Sequence, residues 1–497
     1  MESGRWRSGG AASAAQSRVT RNAASLAAAT VVARACALVL AVAMGRGLGV
    51  AEYGRYGFAA AIGAIILPLA DLGVTSYVWR EVARNRSTGD AQAAYLARVK
   101  YWFSLSALAI TVAAAMLLSA SVSAAAVVIV VVAAALADGT SAFVYGYFQG
   151  REQMGFQARW IAGGALLRSI GGVCCVALFG RLLAVAVWVL AVSAVQLAFA
   201  LRRFLVVVGH DARRRPGRRL VSWRAVLAMG ALTLSVLAYL NGDTVLIGII
   251  KDRHAVGLYA AALAIVAAAQ LVPWQISQAI APVFARTHGA DPAGFGEAWE
   301  VGLRVVLLIA LPTALVIAIL ARGVLRLPYG VSFTPAATAL SVLIWSSPIA
   351  AVNSLVAGAL LGVGREGWAA RVSVGAVVLN LGLNVWAIPT FGIVGAAVVT
   401  VVTELAVLVG QTRFLIAHGI VSFPRLRYGR TAVALLALAA VAIELRSMNV
   451  IAAAVPALVI YGLMTLFTGA LRRSELRDFW TAIARAPAPG RIASLNH

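Results

Sequence analysis

RVSVGAVVLNLGLNVWAIPTFGIVG, residues 371–395, decides the fold, because the same stretch occurs earlier in altered form over residues 159–183. The shift of 212 that carries Arg159 onto Arg371 also carries Arg168 onto Asn380 and Phe179-Gly180 onto Phe391-Gly392. Upstream, Gly150-Arg151-Glu152 matches Gly364-Arg365-Glu366 at a shift of 214, and Gly54-x-Tyr56 matches Gly257-x-Tyr259 at a shift of 203. Three matches in one order, with little drift between them, read as a duplication.

Composition says what is duplicated. The chain has 497 residues, 62% of them hydrophobic and 12% charged, with a mean hydropathy of +0.89, whereas roughly a quarter of the residues in a soluble domain are charged. Runs of about 20 apolar residues are long enough to cross a bilayer as helices, and fourteen occur, from 24–44 to 449–470. They are continuous rather than alternating, which excludes barrel strands. The expected fold is therefore an all-α integral membrane protein of about fourteen transmembrane helices. Two parallel six-helix repeats, 23–207 and 225–417, form two lobes around a central cavity, and two accessory helices follow at 431–470. Residues 1–22 and 471–497 read as cytoplasmic tails, with the first helix opening at Asn22 or Ser25, and 208–224 reads as a basic cytoplasmic linker.

Orientation follows from the positive charges, which concentrate in cytoplasmic loops. With the N-terminus inside, the outside connections hold only Arg46, Arg55, Arg181, Lys251, Arg253, Arg322, Arg326 and Arg446 of the 42 Lys and Arg. The net charge of +24 is dispersed over membrane-flanking loops rather than gathered on one soluble module, so it argues for anionic lipid as partner and against nucleic acid.

Polar residues inside apolar runs are costly and mark function or pairing. Arg34 lies half-way through the first run and Arg168 inside the fifth; both are candidate substrate-binding cations. Asp71 in the second run is the expected partner of Arg34. Asp138, Ser141, Tyr145 and Gln149 fall on one face of the fourth run, a polar stripe. Ser235, Tyr239 and Asp243 make another in the seventh. Pro273 and Pro282 bend the eighth run, which carries Gln275 and Gln278, and Trp345 and Asn353 lie in the tenth. Asn380 and Asn384 are one turn apart in the eleventh, and Glu404 sits mid-way through the twelfth without a clear partner. Gln149, Tyr239, Gln275, Gln278, Trp345, Asn353, Asn380 and Asn384 are the expected cavity lining. Asp71, Asp138, Asp243 and Glu404 are the expected coupling or gating groups.

Several chemistries find no support. Cys36, Cys174 and Cys175 have no metal spacing and read as small packing residues. The only two lysines, Lys100 and Lys251, follow no phosphate-binding loop, the five His are scattered, and no loop is long enough for a catalytic domain. The expectation is a transporter without metal or cofactor rather than an enzyme.

Leu48-Gly49-Val50-Ala51-Glu52-Tyr53-Gly54 resembles the LGxxEYG signature that follows the first helix of the polysaccharide-export flippases. The resemblance continues through Ala70-Asp71-Leu72-Gly73, through Val256-Gly257-Leu258-Tyr259 and through Asn380-Leu381-x-Leu383-Asn384 ahead of Pro389-Thr390-Phe391-Gly392. It covers residues 20–470 and points to the polysaccharide branch of the multidrug/oligosaccharidyl-lipid/polysaccharide exporter superfamily. It implies alternating access and a polyprenyl-diphosphate-linked oligosaccharide moved across a bacterial plasma membrane, with glycosyltransferases and a polysaccharide polymerase as associated proteins. A cation-coupled multidrug exporter and a peptidoglycan lipid-precursor flippase are the alternatives in the same fold. A membrane-embedded glycosyltransferase, which needs carboxylates in sizeable outer loops, is not supported. The orientation predicts that cysteines placed at positions 87 and 215 of a cysteine-free chain are shielded from an impermeant thiol reagent added outside intact cells; labelling at either would overturn the topology.

Overall fold

The computed structural model describes residues 5–118, 121–214, 221–288, 291–421 and 428–469, and among them every regular element is a helix. Ten helices are long and apolar enough to cross a membrane, or eleven if the pair 331–343 and 346–362, bent by 41°, is one crossing. Two of the ten are too long for one crossing. The apolar part of α1 (Arg5–Asp71) has 47 residues and α13 (Glu366–Ala417) has 52; at about 1.5 Å per residue both run to roughly 70 Å or more, against a hydrocarbon core of about 30 Å. Each contains a glycine with a non-helical backbone, Gly49 (φ 84°, ψ 174°) and Gly392 (φ 60°, ψ −139°). Length and apolarity among the described residues thus count ten or eleven crossings against the fourteen expected, and the 17-residue α14 (Tyr428–Glu444) is not among them.

Three boundaries differ from the expectation. The first helix is already formed at Arg5, well upstream of Asn22. The second run, expected to continue through residue 79, breaks after Asp71: Leu72 (φ 49°) and Gly73 (φ 86°) are left-handed, and α2 (Val74–Arg84) starts afresh. The tail 471–497 and residues 215–220 of the basic linker lie outside the described residues.

The third concerns the lobes. The chain forms two compact units, Met1–Val245 and Leu246–His497. Their boundary falls inside α7 (Trp223–Ile250) rather than at 208–224, because the start of α7 packs against the α1–α2 break. A Cβ on Gly73 would lie 2.3 Å from the Gly230 nitrogen and 2.4 Å from the Val226 oxygen, and the Ser222 amide donates to Tyr77 Oη at 3.2 Å.

In the first unit, α3 (Arg86–Leu118), α4 (Val122–Gly150), α5 (Met154–Phe179) and α6 (Leu182–Arg214) complete the bundle. Its best-buried core joins Tyr77 and Val78 of α2, Phe143, Tyr147 and Phe148 of α4 and Phe204 of α6, with edge-to-face rings 5.0 Å apart between Tyr147 and Phe204. In the second unit, α8 (Arg253–Thr287), α9 (Pro292–Ile319) and α12 (Ser346–Gly362) share a core of Phe284, Trp299, Leu355 and Leu360. The short α10 (Ala321–Tyr329) and α11 (Ala337–Leu343) precede α12. The peripheral pair, α14 and α15 (Val450–Phe467), packs onto α9, where Tyr461 Oη donates to the Leu308 carbonyl at 2.9 Å. Lys251, exposed between α7 and α8, donates to the Pro389 carbonyl at 3.0 Å.

The duplication is visible in the backbone. After α4, the amides of Arg151, Glu152 and Gln153 donate to the carbonyls of Tyr147, Gln149 and Phe148. After α12, the amides of Val363, Gly364 and Arg365 donate to Ala359, Leu361 and Leu360. Donors and acceptors correspond one for one at the shift of 212, with Glu152 (φ 61°) and Gly364 (φ 71°) as the left-handed residues of the two caps. The shift of 214 inferred from Gly-Arg-Glu is therefore out of register: Gly150 corresponds to Gly362. The glycines of the repeated stretch agree as well, Gly180 at φ 58° and Gly392 at φ 60°. They differ in ψ, however. Gly180 (ψ 25°) lies where asparagine is tolerated, whereas Gly392 lies close to a region open to glycine alone. Gly392→Ala is therefore expected to destabilise the detergent-solubilised protein by about 1–3 kcal/mol and Gly180→Asn by much less, as thermal unfolding of the two variants will show; equal losses would contradict the assignment.

Candidate functional site

The polar stripe of α4 forms because a helix returns to the same face every three or four residues. All four of its members, Asp138, Ser141, Tyr145 and Gln149, line one cavity of about 690 Å³ in the first unit. Ala33, Cys36, Ala37 and Leu40 of α1 supply the opposite wall, Tyr56 lies beyond the Gly49 break, and Gln157 and Arg168 enter from α5. Arg168 Nη2 donates to Asp138 Oδ1 at 2.5 Å and to Gln196 Oε1 at 2.6 Å, and Gln196 Nε2 donates to the Trp160 carbonyl at 2.6 Å. One guanidinium thus ties α4, α5 and α6 together. Glycine permits the closest part: a Cβ on Gly164 would fall 2.0 Å from Gln196 Nε2.

Arg168 Nε, Tyr145 Oη and Gln157 Oε1 are buried without a hydrogen-bond partner. Two unused donors and one unused acceptor thus lie on residues that line the cavity, beside a partly exposed ion pair with side chains 26% and 37% accessible. An anion arriving there meets a cation already held by Asp138, so binding means exchanging one oxyanion for another. The second unit has no copy of this arrangement, because the shift of 212 puts Ala350, Asn380 and Leu408 where the first unit has Asp138, Arg168 and Gln196.

A family model described as "Polysaccharide biosynthesis protein" matches residues 19–288, more than half of the chain. The chain belongs to this family. A second model, MatE, matches residues 229–386, which agrees with membership of the multidrug/oligosaccharidyl-lipid/polysaccharide exporter superfamily. Among curated relatives, the probable low-salt glycan biosynthesis flippase Agl15 of Haloferax volcanii is 28% identical over 37% of this chain and 39% of its own length. The probable flippase AglR of the same organism is 30% identical over 34% of this chain and 36% of its own. The chain thus aligns with about two fifths of these relatives or less. Among solved structures, the lipid II flippase MurJ in an inward closed conformation shares the fold with a TM-score of 0.77 at 12% identity, over 91% of this chain and 99% of that one. An inward-facing multidrug resistance MATE transporter gives 0.66 at 15% identity, over 77% and 94%.

The remaining expected site residues lie as follows. Arg34 does not line the cavity. It falls about 100° round the helix from Ala33, is exposed, and forms no ion pair among the described residues. Asp71 pairs with Lys100 instead, both buried, and also accepts from the Thr75 hydroxyl at 2.5 Å at the α1–α2 break. Glu404 has a partner after all, accepting from Asn353 Nδ2 at 2.6 Å. Asn380 and Asn384 are fully buried, and Asn384 Nδ2 donates to Asn380 Oδ1 at 3.1 Å. Asp243 is buried, Tyr239 and Gln275 half-buried and Gln278 exposed, and none of the four lines the cavity of the first unit. Trp345 marks the bend before α12. Gln196, Gln157 and Tyr56 were not anticipated; a single amide at mid-run, Gln196, was the available signal. Cys36 lines the cavity, while Cys174 and Cys175 do not, and all three are free thiols.

Removing one member of the Asp138–Arg168 pair leaves the other uncompensated. Arg168→Ala is expected to destabilise the protein by about 1–3 kcal/mol, less than the roughly 3–5 of a fully buried pair because both side chains stay partly accessible. Adding Asp138→Ala should restore most of the loss, as read by thermal unfolding in detergent; additive losses would refute the coupling.

Proposed function

We propose that the chain is a flippase that carries a polyprenyl-diphosphate-linked oligosaccharide from the cytoplasmic to the outer leaflet of a bacterial plasma membrane by alternating access, with both termini cytoplasmic. The observation that carries this reading is Arg168, a guanidinium lining the cavity and held there by Asp138 and Gln196, with its Nε unused. A planar guanidinium binds phosphate oxygens in pairs, and a diphosphate, with more charge than one carboxylate, can take Arg168 from Asp138. Asp138 is then the gating group, holding the cation when no substrate is present. Gln149, Gln157 and Tyr145 offer donors and acceptors to sugar hydroxyls, and Trp79, which also lines the cavity, offers a ring face. Membership of the family and similarity to the two probable flippases of Haloferax volcanii support the reading. The enzymes that build such a substrate and the polymerase that consumes its product are its natural partners.

A cation-coupled multidrug exporter is the second reading, favoured by the MatE match and by the carboxylate in the cavity. The two separate in reconstituted vesicles. A flippase moves a fluorescent lipid-linked oligosaccharide into the leaflet open to an impermeant quencher, and Arg168→Ala should slow this roughly 30- to 100-fold, as loss of a charge-assisted contact worth about 2–3 kcal/mol implies. Arg168→Lys should restore only part, because the fork is lost. Full translocation by a well-folded Arg168→Ala variant, or efflux of a cationic dye with no movement of the glycolipid, would displace this assignment.

A further inference from the structure

A second groove of about 640 Å³ lies between α5 and α6, on the side of α5 away from the substrate cavity. The two helices run antiparallel along it, since Gln196 Nε2 reaches the Trp160 carbonyl and Trp188 Nε1 donates to the Leu167 carbonyl at 3.0 Å. One end is basic. Arg203 stacks its guanidinium over Phe156 at 4.8 Å and Phe148 at 5.5 Å, and Arg159 donates only its Nε, to the Gly155 carbonyl at 3.2 Å. Neither arginine forms an ion pair among the described residues. The other end, where Trp188 stands opposite Leu167, is apolar and open, with Leu167 55% exposed. From Phe156 to Leu167 the groove runs roughly 16 Å at about 1.5 Å per residue. Its floor at Gly163 is empty, with nothing within 4 Å of where a Cβ would stand.

We propose that this groove is a docking site for an anionic phospholipid of the surrounding bilayer, with its phosphate between Arg159 and Arg203 and one acyl chain over Gly163 toward Leu167. Two arginines without counter-ions at the end of an apolar trough match an anionic headgroup with its chain attached, and basic pockets between membrane helices hold such lipids. Arginine supplies paired donors to phosphate oxygens, and its stem packs on the rings beneath it. Gln196 belongs to the walls of both the groove and the substrate cavity. A lipid seated against Trp160 and Gly164 therefore backs the amide that holds Arg168.

The test uses the full chain in nanodiscs of phosphatidylcholine with and without phosphatidylglycerol, extracted into detergent and weighed intact by native mass spectrometry. Phosphatidylglycerol should be retained in preference to phosphatidylcholine. Arg159→Gln with Arg203→Gln should weaken its retention roughly 30-fold, at about 1 kcal/mol for each arginine near the membrane surface. Gly163→Leu fills the floor without a clash and raises helix propensity; it should abolish retention with both arginines intact. Equal retention of the two phospholipids by the wild type, or undiminished phosphatidylglycerol on a monodisperse Gly163→Leu variant, would overturn the site. So would displacement of phosphatidylglycerol by an equimolar polyprenyl phosphate, which would give the groove to the carrier lipid.

Discussion

A guanidinium among apolar helices has little water to share its charge and has to be satisfied largely by neighbouring side chains. Arg168 meets that requirement with groups from two neighbouring helices, Asp138 on α4 and Gln196 on α6. The register of three helices follows from those contacts, since sliding any one of them by a turn, about 5.4 Å, breaks a charged hydrogen bond. Gly164 then has to be small, and the cavity lined by α4 and α5 acquires its one cation together with that cation's counter-ion.

The two halves kept their ends and exchanged their interiors. Helix caps are fixed by backbone geometry, so the hydrogen bonds after α4 and after α12 still correspond residue by residue. The interior is free to vary as long as each polar group finds a partner. Ser141 corresponds to Asn353 and Val192 to Glu404, and the pair that bridges α12 and α13 is therefore built from positions where the first unit has a hydroxyl and a methyl-bearing side chain. An arginine–aspartate pair stands in one half and an asparagine–glutamate pair in the other, which gives two halves of one plan different chemistry.

Much of this was legible in the sequence, for physical reasons that can be named. Apolar length reveals membrane helices because the bilayer imposes it. The α4 stripe was legible because four polar side chains at helical spacing have to share a face. Pairing across helices was not. Asp71 was matched to Arg34 on the strength of two charges in adjacent runs, but its partner, Lys100, stands at the edge of the third run, and the break at Leu72–Gly73 turns Asp71 toward it. Asn380 and Asn384 read as cavity lining because amides in membrane helices attract attention, yet two amides one turn apart can bond to each other and be buried. Gln196 went unnoticed for the converse reason: a solitary amide in a long apolar run shows no pattern, and its importance comes from what stands opposite.

The buried Lys100 has a practical corollary in bioconjugation. Its amine is 1% exposed and ion-paired, so it is hidden from amine-reactive reagents as long as the first unit stays folded. Lys251, the other lysine of the chain, is exposed. Besides the terminal amine, a succinimidyl ester therefore meets a single reactive side chain on the native protein, and uptake of a second label on heating reports the opening of the α1–α2 break.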